Sequence, residues 1–181
     1  MNACTPNLVL AGFMGTGKST VAPIIAQRLG WVFVDTDALV EQRAGMPVRE
    51  VFATQGEPAF RALEREAIRD ACRMDLAVIS IGGGALLDPT NKRDLENSGV
   101  LVLLTCARDI LVQRLRDSVR RGERPLLAES LSQTIDGLLR AREPAYSSVL
   151  LRVDTTRLGP EEAADEVLAL YRQATRAEVP A

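Results

Sequence analysis

Gly12-Phe13-Met14-Gly15-Thr16-Gly17-Lys18-Ser19 fits the phosphate-binding pattern G-x-x-x-x-G-K-[ST]. The chemistry it suggests is the capture of a polyphosphate. Glycines let the backbone curl closely enough for its N–H groups to face phosphate oxygens. The helix that follows adds unpaired N–H groups and a partial positive charge. Lys18 would reach the outer phosphates, the Ser19 hydroxyl would take a magnesium position, and Gly15, Thr16, Gly17 and Thr20 complete the expected nucleotide cradle. A chance glycine-rich loop is the alternative, but the flanks argue against it. Leu8-Val9-Leu10-Ala11 reads as a buried strand, and Thr20 to Leu29 carries apolar residues at helical spacing.

Two carboxylates come next. The apolar run Trp31 to Val34 ends in Asp35-Thr36-Asp37, and in a parallel sheet ligands bind beyond the carboxyl ends of the strands. Asp35 is the candidate for holding magnesium through water. Asp37 could accept a proton from a substrate hydroxyl, because a chain with no histidine must find its base elsewhere. The competing assignment is that both cap a helix starting at Ala38. A third strand, Leu76 to Ile81, is followed by Gly82-Gly83-Gly84, which exposes bare N–H groups where a small substrate could approach. Ser80 stands where many nucleotide-binding sheets carry an aspartate, which makes Asp35 more necessary for the metal.

Several arginines remain. Arg61 follows Phe60 near the start of a helix over 57–73, after short helices over 38–44 and 48–54 broken at Gly45, Pro47 and Gly56. Beyond it, Leu63 to Asp70 reads as a mixed-charge, largely solvated face with i,i+4 pairs. Arg114, Arg116, Arg120, Arg121 and Arg124 make the densest positive patch of the chain. Beside a phosphate motif, such a patch reads as a lid over about 114–127 that neutralises developing charge; alone it would be a solvated loop.

The supporting elements follow in order. A helix from Asp88-Pro89-Thr90 stops at Gly99, Val100 to Leu104 gives a fourth strand, and a helix starts near Ala107. Another runs from about Leu131 to Arg142-Glu143-Pro144-Ala145-Tyr146, then a strand over Leu150 to Asp154. The last helix, about 161–173, presents Val167, Leu168, Leu170 and Tyr171 to the sheet, and the tail from Ala174 is expected to fray.

Composition narrows the class. At 181 residues the chain reads as a single domain, with a core over about 7–174. A formal net charge of -2 offers no field for nucleic acid, and no apolar run approaches a membrane span. No signal peptide is evident, and Cys4, Cys72 and Cys106 lack metal or redox spacing, so a reducing, cytoplasmic setting is expected. No apolar surface stripe stands apart from the expected core, so a monomer is expected.

Taken together, the phosphate loop, Val34-Asp35-Thr36-Asp37, Phe60-Arg61, Gly82-Gly83-Gly84, Arg124-Pro125-Leu126-Leu127 and Arg142-Glu143-Pro144-Ala145-Tyr146 resemble the shikimate kinase family from Leu8 to about Tyr171. The resemblance implies a three-layer α/β P-loop kinase fold. Its five-stranded parallel sheet has order 2-3-1-4-5, with helices on both faces, a substrate-binding region over about 36–62 and a lid. It implies phosphorylation of the 3-hydroxyl of shikimate by ATP with Mg2+. Asp37 then binds the reacting hydroxyl, Arg61 and Arg142 hold the carboxylate, and Gly83 and Gly84 line the same site. Arg124 reaches the transferring phosphoryl, while Arg121 and Pro160 sandwich adenine. The lid is shorter than in some relatives, and Pro-Ala-Tyr replaces the common Pro-Leu-Tyr. A gluconate-type kinase, or a catalytically silent nucleotide-binding protein of the same fold, are the rival readings.

Overall fold

A computed structural model describes residues 6–120 and 131–177. Five parallel strands form one sheet in the order β2-β3-β1-β4-β5. β1 is Asn7–Gly12, β2 Val32–Asp35, β3 Ala77–Ser80, β4 Gly99–Thr105 and β5 Leu151–Asp154. β1 pairs with β3 and β4, so the phosphate loop leaves the central strand between two crossovers. That is the switch point at which sheets of this class bind ligands.

Alternation along the strands divides the core into two layers. Leu8 and Leu10 of β1 face one side with Val102 and Leu104, against Val21 and Ile25 of α1 (Lys18–Leu29) and Val167, Leu168 and Tyr171 of α7 (Pro160–Ala177). Val9, Ala11 and Phe13 face the other side with Ile79, Ile81 and Leu103. There they meet α3 (Val48–Cys72) through Ile68, α4 (Pro89–Ser98) through Leu95, α5 (Arg108–Arg120) through Leu111 and α6 (Leu131–Ser147) through Ile135. The central residues of this sheet are apolar on both faces because both faces are covered. β2 lies at an edge, and its Val32 and Phe33 are exposed.

A smaller cluster of Val40, Val51, Phe60 and Ala67 ties α2 (Thr36–Ala44) to α3. As expected, two helical segments meet at Gly56, and they are labelled together as α3. Gly56 stands at φ 79° and ψ 174°, where no helix can continue, and Pro58 restarts it. α2 begins at Thr36 rather than Ala38, and α7 continues past Ala174 to Ala177 instead of fraying there. The fifth strand begins at Leu151, leaving Leu150 92% exposed, because only the residues after it register with Val102 to Thr105.

Candidate active site

The phosphate loop is built by backbone geometry. Gly15 and Gly17 take φ of 83° and 101°, which L-residues rarely adopt, and Gly17 caps α1 with its carbonyl accepting from the Val21 N–H. The helix therefore starts at Lys18, two residues before the sequence suggests, and Ser19 and Thr20 sit exposed in its first turn. Lys18 Nζ donates to the Gly12 carbonyl at 2.7 Å and to that of Phe13 at 3.2 Å, so its ammonium arches back over the loop. Thr16 is sealed inside, its hydroxyl donating to the Phe13 carbonyl.

A cleft of about 510 Å³ opens over this loop, lined by Gly15 to Thr20 on one side and by Arg114, Leu158, Gly159 and Pro160 on the other. All the expected nucleotide residues within the described chain face one space. Arg114 spans the two walls: its guanidinium donates to the Gly15 carbonyl at 3.2 Å and to the Thr155 carbonyl at 2.9 Å. The buried Thr155 hydroxyl in turn donates to the Thr16 carbonyl at 2.9 Å. Arg121 and Arg124 lie outside the described residues. The guanidinium that the structure brings to the Pro160 side of the cleft is that of Arg114, which sequence spacing alone grouped with the lid.

Asp35 and Asp37 separate into different roles. Asp35 aligns with Ser80 across the β2–β3 pair, at the carboxyl end of the sheet. Its Oδ1 accepts from the Asp37 and Ala38 N–H groups and caps α2, as the alternative reading had it. Asp37 is not a cap, because it lies inside the first turn. Its Oδ1 is buried and has no hydrogen-bond partner among the described residues. Burial raises its pKa from 3.8 to about 6, helped by the negative charges of Asp35 and Glu64 and opposed by Lys18. A carboxylate destabilised in this way is ready to take a proton.

The glycine triplet explains how the rest converges. None of Gly82, Gly83 and Gly84 has positive φ, so the backbone could carry side chains there, yet the space is already filled. A Cβ on Gly82 would lie 2.7 Å from Asp37 Oδ1. One on Gly83 would lie 2.8 Å from Arg142 Nη1, and one on Gly84 2.9 Å from both terminal nitrogens of Arg61. A carboxylate and two guanidiniums, carried on α2, α6 and α3, thus rest on one stretch of bare backbone after β3.

Each guanidinium has its own support. Arg142 lies over the Phe13 ring, 4.9 Å from its centre, and its Nη1 is buried with no hydrogen-bond partner among the described residues. Tyr146, one turn on, donates its hydroxyl to the Gly83 carbonyl at 2.7 Å. Arg61 pairs with Glu64 at 2.7 Å and with Glu57 at 3.1 Å.

Glu64 overturns part of the sequence expectation. It was grouped with a solvated charged face, but it is 1% exposed, and burial pushes its carboxyl up against the pull of Arg61. The signal was available: Phe60, Glu64, Ala67, Ile68 and Ala71 fall at helical spacing on one stripe, and all are buried. A glutamate on an apolar stripe must have a partner, and Arg61 one turn earlier is it.

Comparison with known proteins places the chain in a family. Residues 14–172 match the family model for shikimate kinase. A shikimate kinase of Geobacter metallireducens is 42% identical over 162 residues, covering 89% of each chain. The solved shikimate kinase of Acinetobacter baumannii, in complex with shikimate, superposes with a TM-score of 0.82 at 30% identity, covering 97% of this chain and 96% of that one. A gluconokinase of Sinorhizobium meliloti shares the fold at a TM-score of 0.65 and 20% identity, over 97% of this chain and 99% of that one.

Proposed function

We infer the function from membership: this chain belongs to the shikimate kinase family. It transfers the γ-phosphoryl group of ATP to the 3-hydroxyl of shikimate, giving ADP and shikimate 3-phosphate. The observation that carries this reading is the convergence of Asp37, Arg61 and Arg142 on the glycine triplet beside the phosphate loop. Shikimate offers one carboxylate and three hydroxyls. Planar guanidinium forks suit the carboxylate, and an ionised carboxyl suits a hydroxyl.

The residues divide the work as follows. Arg61 and Arg142 bind the substrate carboxylate, with Gly83 and Gly84 giving it close access to the backbone. Asp37 accepts the proton of the 3-hydroxyl as that oxygen bonds to the γ-phosphorus and the bond to the ADP oxygen breaks. Lys18, now bonded to loop carbonyls, turns to the outer phosphates. Gly15 to Thr20 cradle the phosphates, and Arg114 and Pro160 flank the base. The expected lid of about 114–127 begins inside α5, so any lid lies beyond Arg120; Arg124 there, in company with Arg121, would supply further positive charge to the transferring group. Transfer through a loose transition state asks for alignment and charge of this kind more than for covalent chemistry.

The donor set fits magnesium as an ion shared with the nucleotide. Ser19 is exposed at the head of α1, and the described hydrogen bonds of Asp35 use Oδ1 alone. Among the described residues no three acidic or sulfur side chains gather into a protein-only cage. Magnesium prefers one or two carboxylates with phosphates and water, and Ser19 and Asp35 would hold it there, where it would neutralise phosphate charge. No described helix is long and apolar enough to cross a membrane. We take the protein to work as a cytoplasmic monomer, one domain with its substrate region over about 36–62.

The test is ADP release from ATP and magnesium with shikimate, with gluconate, or with no acceptor. Release that depends on shikimate is expected. Equal release with gluconate, or none with shikimate despite ATP binding, would overturn the assignment.

A further inference from the structure

Gly82 is the member of the triplet to which no substrate contact is assigned, yet it has the tightest seat. Its φ is not positive, so alanine could adopt its backbone. Its N–H donates to the Thr36 hydroxyl at 3.2 Å and its carbonyl accepts from Ala85 at 3.1 Å, and alanine could keep both bonds. What alanine could not keep is the space. The added carbon would meet Asp37 Oδ1 at 2.7 Å and Glu64 Oε1 at 3.1 Å. The first contact is far too close, and the second yields with a shift of a few tenths of an ångström.

We propose that Gly82 is a positioning residue for the proton acceptor, and that the three glycines divide by function: Gly82 seats Asp37, while Gly83 and Gly84 seat the carboxylate-binding Arg142 and Arg61. The proposal rests on the function proposed above. Its physical content is that the atom in conflict at each position is the far end of a side chain, which moves at little cost to the fold. Relieving the Gly82 conflict moves Asp37 Oδ1 by roughly 0.7–1 Å, and a displacement of about 1 Å at a reacting group costs on the order of a hundredfold in rate. Relieving it at Gly84 moves instead a group that binds the unreactive end of the substrate, which weakens binding before it slows transfer.

The experiment compares Gly82→Ala and Gly84→Ala with the wild-type protein in steady-state assays with ATP, magnesium and shikimate. Gly82→Ala is expected to lower kcat about a hundredfold with the shikimate KM within about threefold. Gly84→Ala should raise that KM about tenfold or more with kcat nearly kept. Because Gly82 acts through Asp37, adding Gly82→Ala to an Asp37→Asn protein should change its residual rate by less than about twofold. A Gly82→Ala protein with normal kcat, a loss carried by KM, or an equal loss in the Asp37→Asn background would each overturn the proposal. So would failure of Gly82→Ala to fold by circular dichroism, since that would make the glycine a requirement of the fold. Absence of shikimate-dependent turnover in the wild type would instead fail the functional reading, which separates the two.

Discussion

Replacing Asp37 by asparagine should make the ligand-free protein more stable while cutting its turnover to a small residual rate. The folded-state pKa of about 6 lies above the ordinary 3.8, so the folded chain holds this proton more tightly than the unfolded chain does. Stability tied to Asp37 is therefore fully present below 3.8 and is lost as pH rises through 6. At about 1.4 kcal/mol per pH unit, ionising Asp37 costs the folded state at most about 3 kcal/mol above neutrality. Asparagine keeps the shape and carries no charge, so Asp37→Asn should recover most of that. For a chain of this length, about 2–4 °C per kcal/mol gives a rise in Tm of roughly 6–10 °C at pH 8. At pH 5 the wild-type carboxyl is mostly protonated in the folded state, and about half of the gain should remain. Thermal unfolding of both proteins without ligands at the two pH values measures this directly. An unchanged or lower Tm for the variant at pH 8, or the same increment at both pH values, would refute the view that burial beside Asp35 and Glu64 strains this carboxylate.

Other outcomes follow from the same geometry. In the wild type, kcat/KM for shikimate should rise with pH through about 6 as Asp37 ionises, and a profile flat from pH 5 to 8 would remove it as the proton acceptor. Arg61→Ala should weaken shikimate binding by roughly 2–5 kcal/mol, about thirtyfold or more in KM, and should also lower Tm because Glu64 is left buried without its partner. Adding Glu64→Gln should restore Tm but not KM; recovery of neither would deny that the buried charge is the cause. Arg114→Ala should raise the ATP KM about tenfold with the shikimate KM unchanged, through loss of charge-assisted bonds worth about 1.5–3 kcal/mol that join the walls of the nucleotide cleft. Equal effects on both substrates would place Arg114 elsewhere in the mechanism.

Much of this was legible in the chain because local rules coincided with function. The phosphate loop announces itself through glycines that need positive φ and a lysine at a fixed offset, all within one turn of chain. The carboxyl-end placement of Asp35 and Asp37 follows from the parallel sheet, and the strand order follows from the family resemblance. Less legible was anything set by packing between distant segments. Glu64 looked solvated because its neighbours Arg65 and Glu66 are charged, whereas the stripe it shares with Phe60 and Ala67 is turned toward the site. Arg114 looked like part of a basic lid, because nothing in a linear pattern says that it reaches Gly15, 99 residues earlier. The triplet was read as exposed N–H groups, and its second property, absent side chains filled by three other residues, appears only when α2, α3 and α6 are placed around it.

These observations bear on why the site tolerates so much unfavourable electrostatics. Asp37 and Glu64 put two carboxyls around one glycine, with Asp35 close by, and among the described residues Lys18 and the two arginines offset them. Among the described residues Asp37 Oδ1 and Arg142 Nη1 are both buried without a hydrogen-bond partner, and buried polar atoms are ordinarily paired. Each lacks what shikimate carries, a hydroxyl donor for Asp37 and a carboxylate acceptor for Arg142. Binding the substrate would satisfy both groups at once, so the unfavourable terms of the free protein become part of the affinity and specificity of the complex. An analogue lacking the carboxylate would leave Arg142 unpaired, and one lacking the 3-hydroxyl would leave Asp37 so. Discrimination of this kind depends on holding the unpaired atoms still, and here bare backbone at Gly82 to Gly84 provides the surface against which they are held.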